Sequence, residues 1–422
     1  PHYCRMTIDS SARGFATWSR TTPRIRAEAL LELSEAIRLE AAEIGALEAA
    51  STGKPLAQAV SEVESAADVF AYFAGISRSL STPASGGYIK GTHSSVMLEP
   101  LGIIAAILPW NYPALMLAWR VAPALAAGCA VVVKPAEQTP ESALEIGRIA
   151  EPILGAGVLN VLMGAAETAQ AIIADPRIAG IAFTGSPEAG AEVARAAGLR
   201  PVSLELGGNA PVIVVDPSSP RDTAEQIVAA CIYNAGQSCA APARIILVGD
   251  NYNFEDALIE EIKQQHPHNY GSLISREQAI RAREIVEATH GMTYSGRIAP
   301  PPGYYFPATL IIDPDPNEPA VVEEVFAPVL TLQRVDTISD AIDLANSLPQ
   351  GLSASVHTSE LSTALEIATA LRAGEVWINT HLEQSPEIPH GGRGISGSGI
   401  DLSPRALDEW LRPKTITMRF RD

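Results

Sequence analysis

The chain is short of several things. Its 422 residues include four cysteines, 5% aromatic residues and 18% charged residues. Cys4, Cys129, Cys231 and Cys239 follow no metal-knuckle spacing and no disulfide framework. No metal site is therefore expected, and a reducing, cytoplasmic setting fits best. The scarcity of aromatics, set against abundant alanine, argues against a β-sandwich and for helices packed on sheets. Basic residues are also few: Lys and Arg number 30 against 48 Asp and Glu, for a net charge of −18. That sign excludes ordinary nucleic-acid binding, because a polyanion needs the opposite one. Residues 1–5 do not read as a signal peptide. The nearest approach to a membrane span is residues 114–133. Arg120, Pro123 and Gly128 interrupt it and it runs into Lys134, so it reads as a helix, a turn and a buried strand. Disorder is excluded because 47% of the residues are apolar and must collapse.

What is present has a clear texture. Residues 23–50 carry a helical repeat with Leu30, Leu33, Ile37, Ile44 and Leu47 on one face. A second helix is expected over 57–77 and an exposed hairpin over 81–99. Beyond Pro100, short all-apolar runs alternate with helical stretches. Runs at 103–108, 130–133, 159–162 and 178–183 form one series. Those at 211–215 and 244–248 form a second, and those at 309–312, 329–335, 353–357 and 375–379 a third. Strand–helix alternation with unbroken apolar runs implies α/β domains with parallel, doubly wound sheets covered on both faces. The change of series places a boundary near Gly207-Gly208. Residues 414–420 alternate and read as one more strand.

Several segments carry candidate chemistry. Cys239 follows Gly236-Gln237-Ser238, where small residues let a ligand approach; it reads as a nucleophile or as a small buried hydrophobe. Glu205 stands in an apolar run before paired glycines, as a general base with a raised pKa or as a turn carboxylate. Asn111, in Pro109-Trp110-Asn111-Tyr112-Pro113, offers an amide to a developing oxyanion, or merely an Asx turn. Lys134-Pro135-Ala136-Glu137 and Phe183-Thr184-Gly185-Ser186 each follow an apolar strand, at the end where doubly wound sheets bind ligands. Either is otherwise an ordinary surface turn. Gly392-Arg393-Gly394-Ile395-Ser396-Gly397 matches a dinucleotide fingerprint but lacks the abutting strand and following helix, and is rejected as one.

Together these segments resemble the aldehyde dehydrogenase superfamily. The likeness runs in order through Pro100-Leu-Gly, Pro109-Trp-Asn, Lys134-Pro-Ala-Glu, Phe183-Thr-Gly-Ser, Glu205-Leu-Gly-Gly, Gly236-Gln-Ser-Cys, Glu323-Glu-Val-Phe and Ser396-Gly-Ser-Gly. It implies two Rossmann-like, doubly wound domains plus a small β oligomerisation element. The NAD-binding domain would take 1–82 and 101–207, the catalytic domain 208–398, and the oligomerisation element 83–100 and 399–422. The resemblance implies that Cys239 attacks an aldehyde, that Asn111 and the Cys239 N–H hold the oxyanion, and that Glu205 activates the water that releases the acid. Trp110, Lys134, Glu137, Gly185, Ser186, Glu324 and Phe326 match its cofactor positions. A carboxylate at 137 repels a 2′-phosphate, so NAD is expected over NADP. A glutamate at 205 implies hydrolysis of the acyl group, not its transfer to coenzyme A.

Arg120 and Asp401 stand where the family often has a Lys/Glu proton relay. Arginine does not give up its proton, so a structural ion pair is expected. By position, Tyr112, Met116, Trp119, Ser238 and Ala240 line the aldehyde tunnel. The C-terminal motifs are similar to the aminobutyraldehyde and betaine-aldehyde branch. Glu62, Glu64 and Asp68 would attract a cationic aldehyde at the tunnel mouth, or form a solvated helix face. Expected partners are a small aldehyde and further copies of the chain in a homodimer or homotetramer, with no nucleic acid and no membrane. The alternatives are a catalytically silent scaffold on the same fold and an NADP-linked semialdehyde dehydrogenase.

Overall fold

The computed structural model describes residues 2–82, 84–298 and 302–420. Pro1, Pro83 and residues 421–422, at the edges of the expected domain ranges, lie outside the described residues. Two parallel sheets organise the chain. The first has five strands in the order Leu159–Val161, Ala130–Lys134, Ile103–Ile107, Ile178–Gly185 and Val202–Leu206. The second has seven, in the order Met292–Ser295, Thr309–Ile312, Val329–Val335, Pro242–Val248, Ala210–Val215, Ser353–Thr358 and Glu375–Ile378. Only the edge strand Met292–Ser295 runs antiparallel. Every residue of Ile103–Ile107 and Ala130–Lys134 is buried, as continuous apolar runs under helices require.

Two strands of the large sheets escaped the sequence reading. Met292–Ser295 is mostly exposed and lacks an apolar signature. Val202–Leu206 carries Glu205 at an inward position, where a charged residue breaks the expected pattern. The helix expected over 23–50 is two helices, Pro23–Leu39 and Ala41–Thr52, separated at Glu40. The second buries Ala41, Ile44, Gly45, Glu48 and Thr52, and Leu47 is 38% exposed. Leu47 therefore leaves the expected face because Glu48, held by a buried lysine, takes the inward place. The long helix Leu56–Ser77 packs against both helices and against Pro113–Ala127. Among the described residues, no helix is long and apolar enough to cross a membrane.

A third sheet stands apart. Ser85–Gly86, Thr92–Pro100 and Leu411–Arg419 form three antiparallel strands. Residues 399–410 are not part of it. They contain the short helix Ser403–Asp408, which packs on Pro113–Ala127.

The two large sheets are joined at the edge of the first. Residues 396–399 lie beside Val202–Leu206: the Leu206 N–H donates to Ser396 O at 3.0 Å, and the Gly399 N–H donates to Leu204 O at 2.9 Å. Ser396 Oγ donates to Gly207 O at 2.8 Å and accepts from the Gly351 N–H at 3.0 Å. A Cβ on Gly397 would fall 2.1 Å from Leu204 O, and its φ is +119°. The rejected glycine motif is thus a close-approach segment against the strand of Glu205. Gly397→Ala should cost about 1–3 kcal/mol more than Gly155→Ala. The Gly155 Cβ would meet nothing within 4 Å at a similarly positive φ of +95°. Denaturant unfolding of the two variants checks this.

Candidate active site

Cys239 sits on the turn between helix Pro220–Ile232 and strand Pro242–Val248. That turn is tight. Asn234 and Ala235 have φ of 51° and 54°, and a Cβ on Gly236 would meet the Ala327 backbone at 2.3 Å. On the other side, a Cβ on Gly208 would lie 2.2 Å from Cys239 O. Glycine at 208 and 236 is therefore what lets the thiol loop lie against its neighbours. The thiol is half-buried. Burial, then the carboxyls of Glu324 and Glu205, push its pKa up. The resting group is therefore a neutral thiol, which needs a base to become a nucleophile.

Glu205 supplies a nearby carboxyl. It is buried, and neither of its oxygens has a hydrogen-bond partner among the described residues. Burial, reinforced by the charge of Asp401, raises its pKa well above the carboxylate range, and Arg120 opposes the shift. Arg120 and Asp401 form a buried ion pair at 3.0 Å. The guanidinium also donates to Thr184 Oγ1 at 2.9 Å and Ser203 Oγ at 2.9 Å. These bonds tie it to the first sheet, in keeping with a structural role.

Asn111 is buried, just before helix Pro113–Ala127. Its Nδ2 donates to Gln237 O at 3.0 Å, two residues before the cysteine. Nδ2 carries two protons; the one this bond leaves can serve an oxyanion.

One cavity of about 1220 Å³ is lined by Cys239, Glu205 and Asn111. Tyr112, Met116, Trp119, Ser238 and Ala240 also line it, so the expected tunnel residues share a wall. Trp110 and Phe326 meet edge to face at 5.4 Å in the same cavity. Gly185, Ser186 and Glu324 line it as well. Ser186 caps helix Pro187–Ala197 by accepting from the Ala189 N–H. Glu324 accepts from the Gly208 N–H at 3.0 Å, and burial raises its pKa to about 7. Lys134 and Glu137 stand outside these walls. Lys134 ends its strand, buried, and Glu137 is exposed beyond it.

The acidic trio divides. All three residues line the cavity, but Glu64 and Asp68 are exposed while Glu62 is buried against Lys54. Sequence reasoning missed Tyr233 and Leu382, which also line the cavity. Tyr233 stacks on Tyr112 with ring centroids 6.4 Å apart. Neither side chain had a spacing signal, since each reaches the site only through folding. His381, part of the C-terminal motif, is hydrogen-bonded at 2.8 Å to both Ser355 Oγ and Ala240 O. Burial lowers its pKa to about 4, so it braces the nucleophile's turn as a neutral ring.

Comparison with known proteins shows the family. Residues 3–416 match the model of the Aldehyde dehydrogenase family. This chain belongs to that family. The peroxisomal aminoaldehyde dehydrogenase 1 of Pisum sativum is 33% identical over 99% of the chain and 88% of its own length. A phenylacetaldehyde dehydrogenase of Pseudomonas fluorescens is 34% identical over 96% of the chain and 85% of its own. The crystal structure of a Staphylococcus aureus betaine aldehyde dehydrogenase in complex with NAD+ superposes with a TM-score of 0.93. It is 29% identical, covering 99% of this chain and 87% of that one. The enzymes of this family are oxidoreductases that act on aldehydes.

The site yields a kinetic prediction. If the Cys239 thiol is the group that bonds to the aldehyde, Cys239→Ala should abolish aldehyde oxidation. Glu205→Gln should give one equivalent of reduced cofactor in a stopped-flow burst, then stall.

Proposed function

We propose that this chain oxidises an aldehyde to its carboxylic acid with NAD as acceptor, through a thiohemiacetal and then a thioester on Cys239. The observation that carries the reading is that thiol, carboxyl and amide line a single cavity. Cys239 Sγ gives its proton to solvent water and bonds to the aldehyde carbon, so that the carbonyl oxygen becomes an oxyanion. Asn111 Nδ2 and the Cys239 N–H donate to that oxygen; losing one such donor typically costs about 3–4 kcal/mol. Collapse of the oxyanion expels hydride and leaves the thioester. Glu205 in its ionised form takes a proton from water, and the resulting hydroxide displaces the thiolate.

NAD, when bound, accepts the hydride. The residues present fit it. The cavity, at about 1220 Å³, exceeds the usual range for one small ligand. Its glycine backbone at 207 leaves no room for a Cβ, which would fall 2.2 Å from Glu324 Oε2. Glu324 and Phe326 would hold the nicotinamide side, with Trp110, Gly185 and Ser186 along the phosphates and Lys134 and Glu137 at the adenosine ribose. The Glu137 carboxylate favours NAD over NADP, because a 2′-phosphate would place like charges together.

For substrate, we favour a cationic aminoaldehyde or betaine aldehyde. Glu64 and Asp68 place exposed carboxylates on the cavity wall, and the rings of Tyr112, Tyr233 and Trp119 line the same cavity. The likeness to aminoaldehyde and betaine aldehyde dehydrogenases supports the same class. The domain division proposed is 1–82 with 101–207 for NAD, 208–398 for catalysis, and 83–100 with 399–422 for assembly. A homodimer or dimer of dimers follows from the edge strand Leu411–Arg419, exposed after its first residue and bearing Ile416 and Met418 at 40% and 49% exposure. Four free cysteines suit a cytoplasmic setting.

NADH absorbance with purified protein and an aldehyde panel tests the reading; absence of turnover in NAD-binding protein refutes it. Asp68→Asn with Glu64→Gln should raise KM several-fold for an aminoaldehyde and leave a neutral aldehyde unchanged, with the difference shrinking in high salt. Steady-state turnover should rise with pH, because only ionised Glu205 is a base and its pKa is raised. Glu137→Gln should narrow the preference for NAD over NADP in binding titrations.

A further inference from the structure

One charged cluster behind the cavity has no part in the chemistry above. Lys54 is 4% exposed and Glu48 fully buried. The Lys54 ammonium pairs with Glu62 and lies 3.6 Å from Glu48 Oε1. Its third contact is not a carboxylate: Nζ donates to the backbone carbonyl of Asn111 at 2.8 Å. The same ammonium lies over the Tyr112 ring, 4.6 Å from its centroid. Glu48 completes a clamp, with Oε2 accepting from the Ala114 N–H at 2.9 Å. The pair thus holds the main chain on both sides of Tyr112. Helix Pro113–Ala127 has no side-chain cap from its own Ncap residue, Tyr112. Glu48 fills that role, its carboxyl accepting from the first free N–H of the helix.

The clamp is joined to the nucleophile's turn. Asn234 Nδ2 donates to the same Asn111 carbonyl at 2.9 Å, and Tyr233 Oη donates to Glu62 at 3.0 Å. The Asn111 carbonyl is held by two donors and its amide by the Gln237 carbonyl, which leaves the residue little freedom. An ammonium so deeply buried is costly to desolvate, and replacing such a cluster by apolar groups is often neutral for stability. Stability alone is therefore a weak account of it.

We infer that Lys54, braced by Glu48 and Glu62, is a positioning residue that aims the Asn111 amide at the oxyanion. The inference rests on the proposed role of Asn111. Lys54→Met removes the ammonium while keeping the stem, so kcat for aldehyde oxidation should fall about 10- to 100-fold, short of the roughly 100- to 1000-fold typical for loss of an oxyanion donor. NAD affinity and the rate of Cys239 alkylation by iodoacetamide should be unchanged, because neither uses the amide. The decisive comparison is a double-mutant cycle on kcat. If Lys54 acts through Asn111, Lys54→Met should have little further effect in an Asn111→Ala background. An equal loss in both backgrounds overturns the inference and leaves the reading of Asn111 intact. Wild-type kcat in Asn111→Ala overturns both. Should Lys54→Met fail to fold, Lys54→Gln enters the same cycle under the same criterion.

Discussion

The active site depends on one packing constraint: three backbone segments must come closer together than side chains allow. The chain at 204–208 leaves the edge of the first sheet, meets 396–399 on one side and the Cys239 turn on the other. Gly397 presses on Leu204 O, Gly208 on Cys239 O, and Gly207 on the Glu324 carboxylate. A methyl at 397 or 208 would meet backbone and push those segments apart, whereas one at 207 would displace the end of the Glu324 side chain. Interiors are close-packed and do not absorb such shifts smoothly.

Burial then sets the chemistry of what has been gathered. The neighbours of Glu205 leave its oxygens without hydrogen bonds, and those of Cys239 include two carboxyls. Both pKa values are thereby raised. Other buried ionisable groups are paired: Arg120 with Asp401, and Lys54 with Glu62 and Glu48. The first pair lies beside Glu205 and the second against the backbone of Asn111.

Much of this was legible in the residues. All-apolar runs announced the parallel strands because a strand covered on both faces has no reason to alternate. Small residues around Cys239 marked a place where a ligand can approach, but the backbone contacts of the glycine pair after Glu205 had no such reading. Other features had no local signal. Leu47 follows the apolar repeat yet points outward, because the helix breaks at Glu40 and Glu48 takes the inward place. Val202–Leu206 hid because the buried carboxyl of Glu205 spoils the strand pattern. The exposed Met292–Ser295 strand is recruited by its neighbour, not by its own composition.

By itself, the sequence determined the fold class, the family and the types of group available for chemistry, since periodicity and motif order are properties of the chain read in one dimension. Tertiary structure alone decided which groups share a cavity and which stand outside it. It separated buried Glu62 from exposed Glu64 and Asp68, although all three lie on one helix. It also brought Lys54 to the Asn111 carbonyl across 57 positions of chain. The physical reason is that protonation, pairing and aim depend on solvent exclusion and on neighbours distant in sequence, which no local pattern encodes.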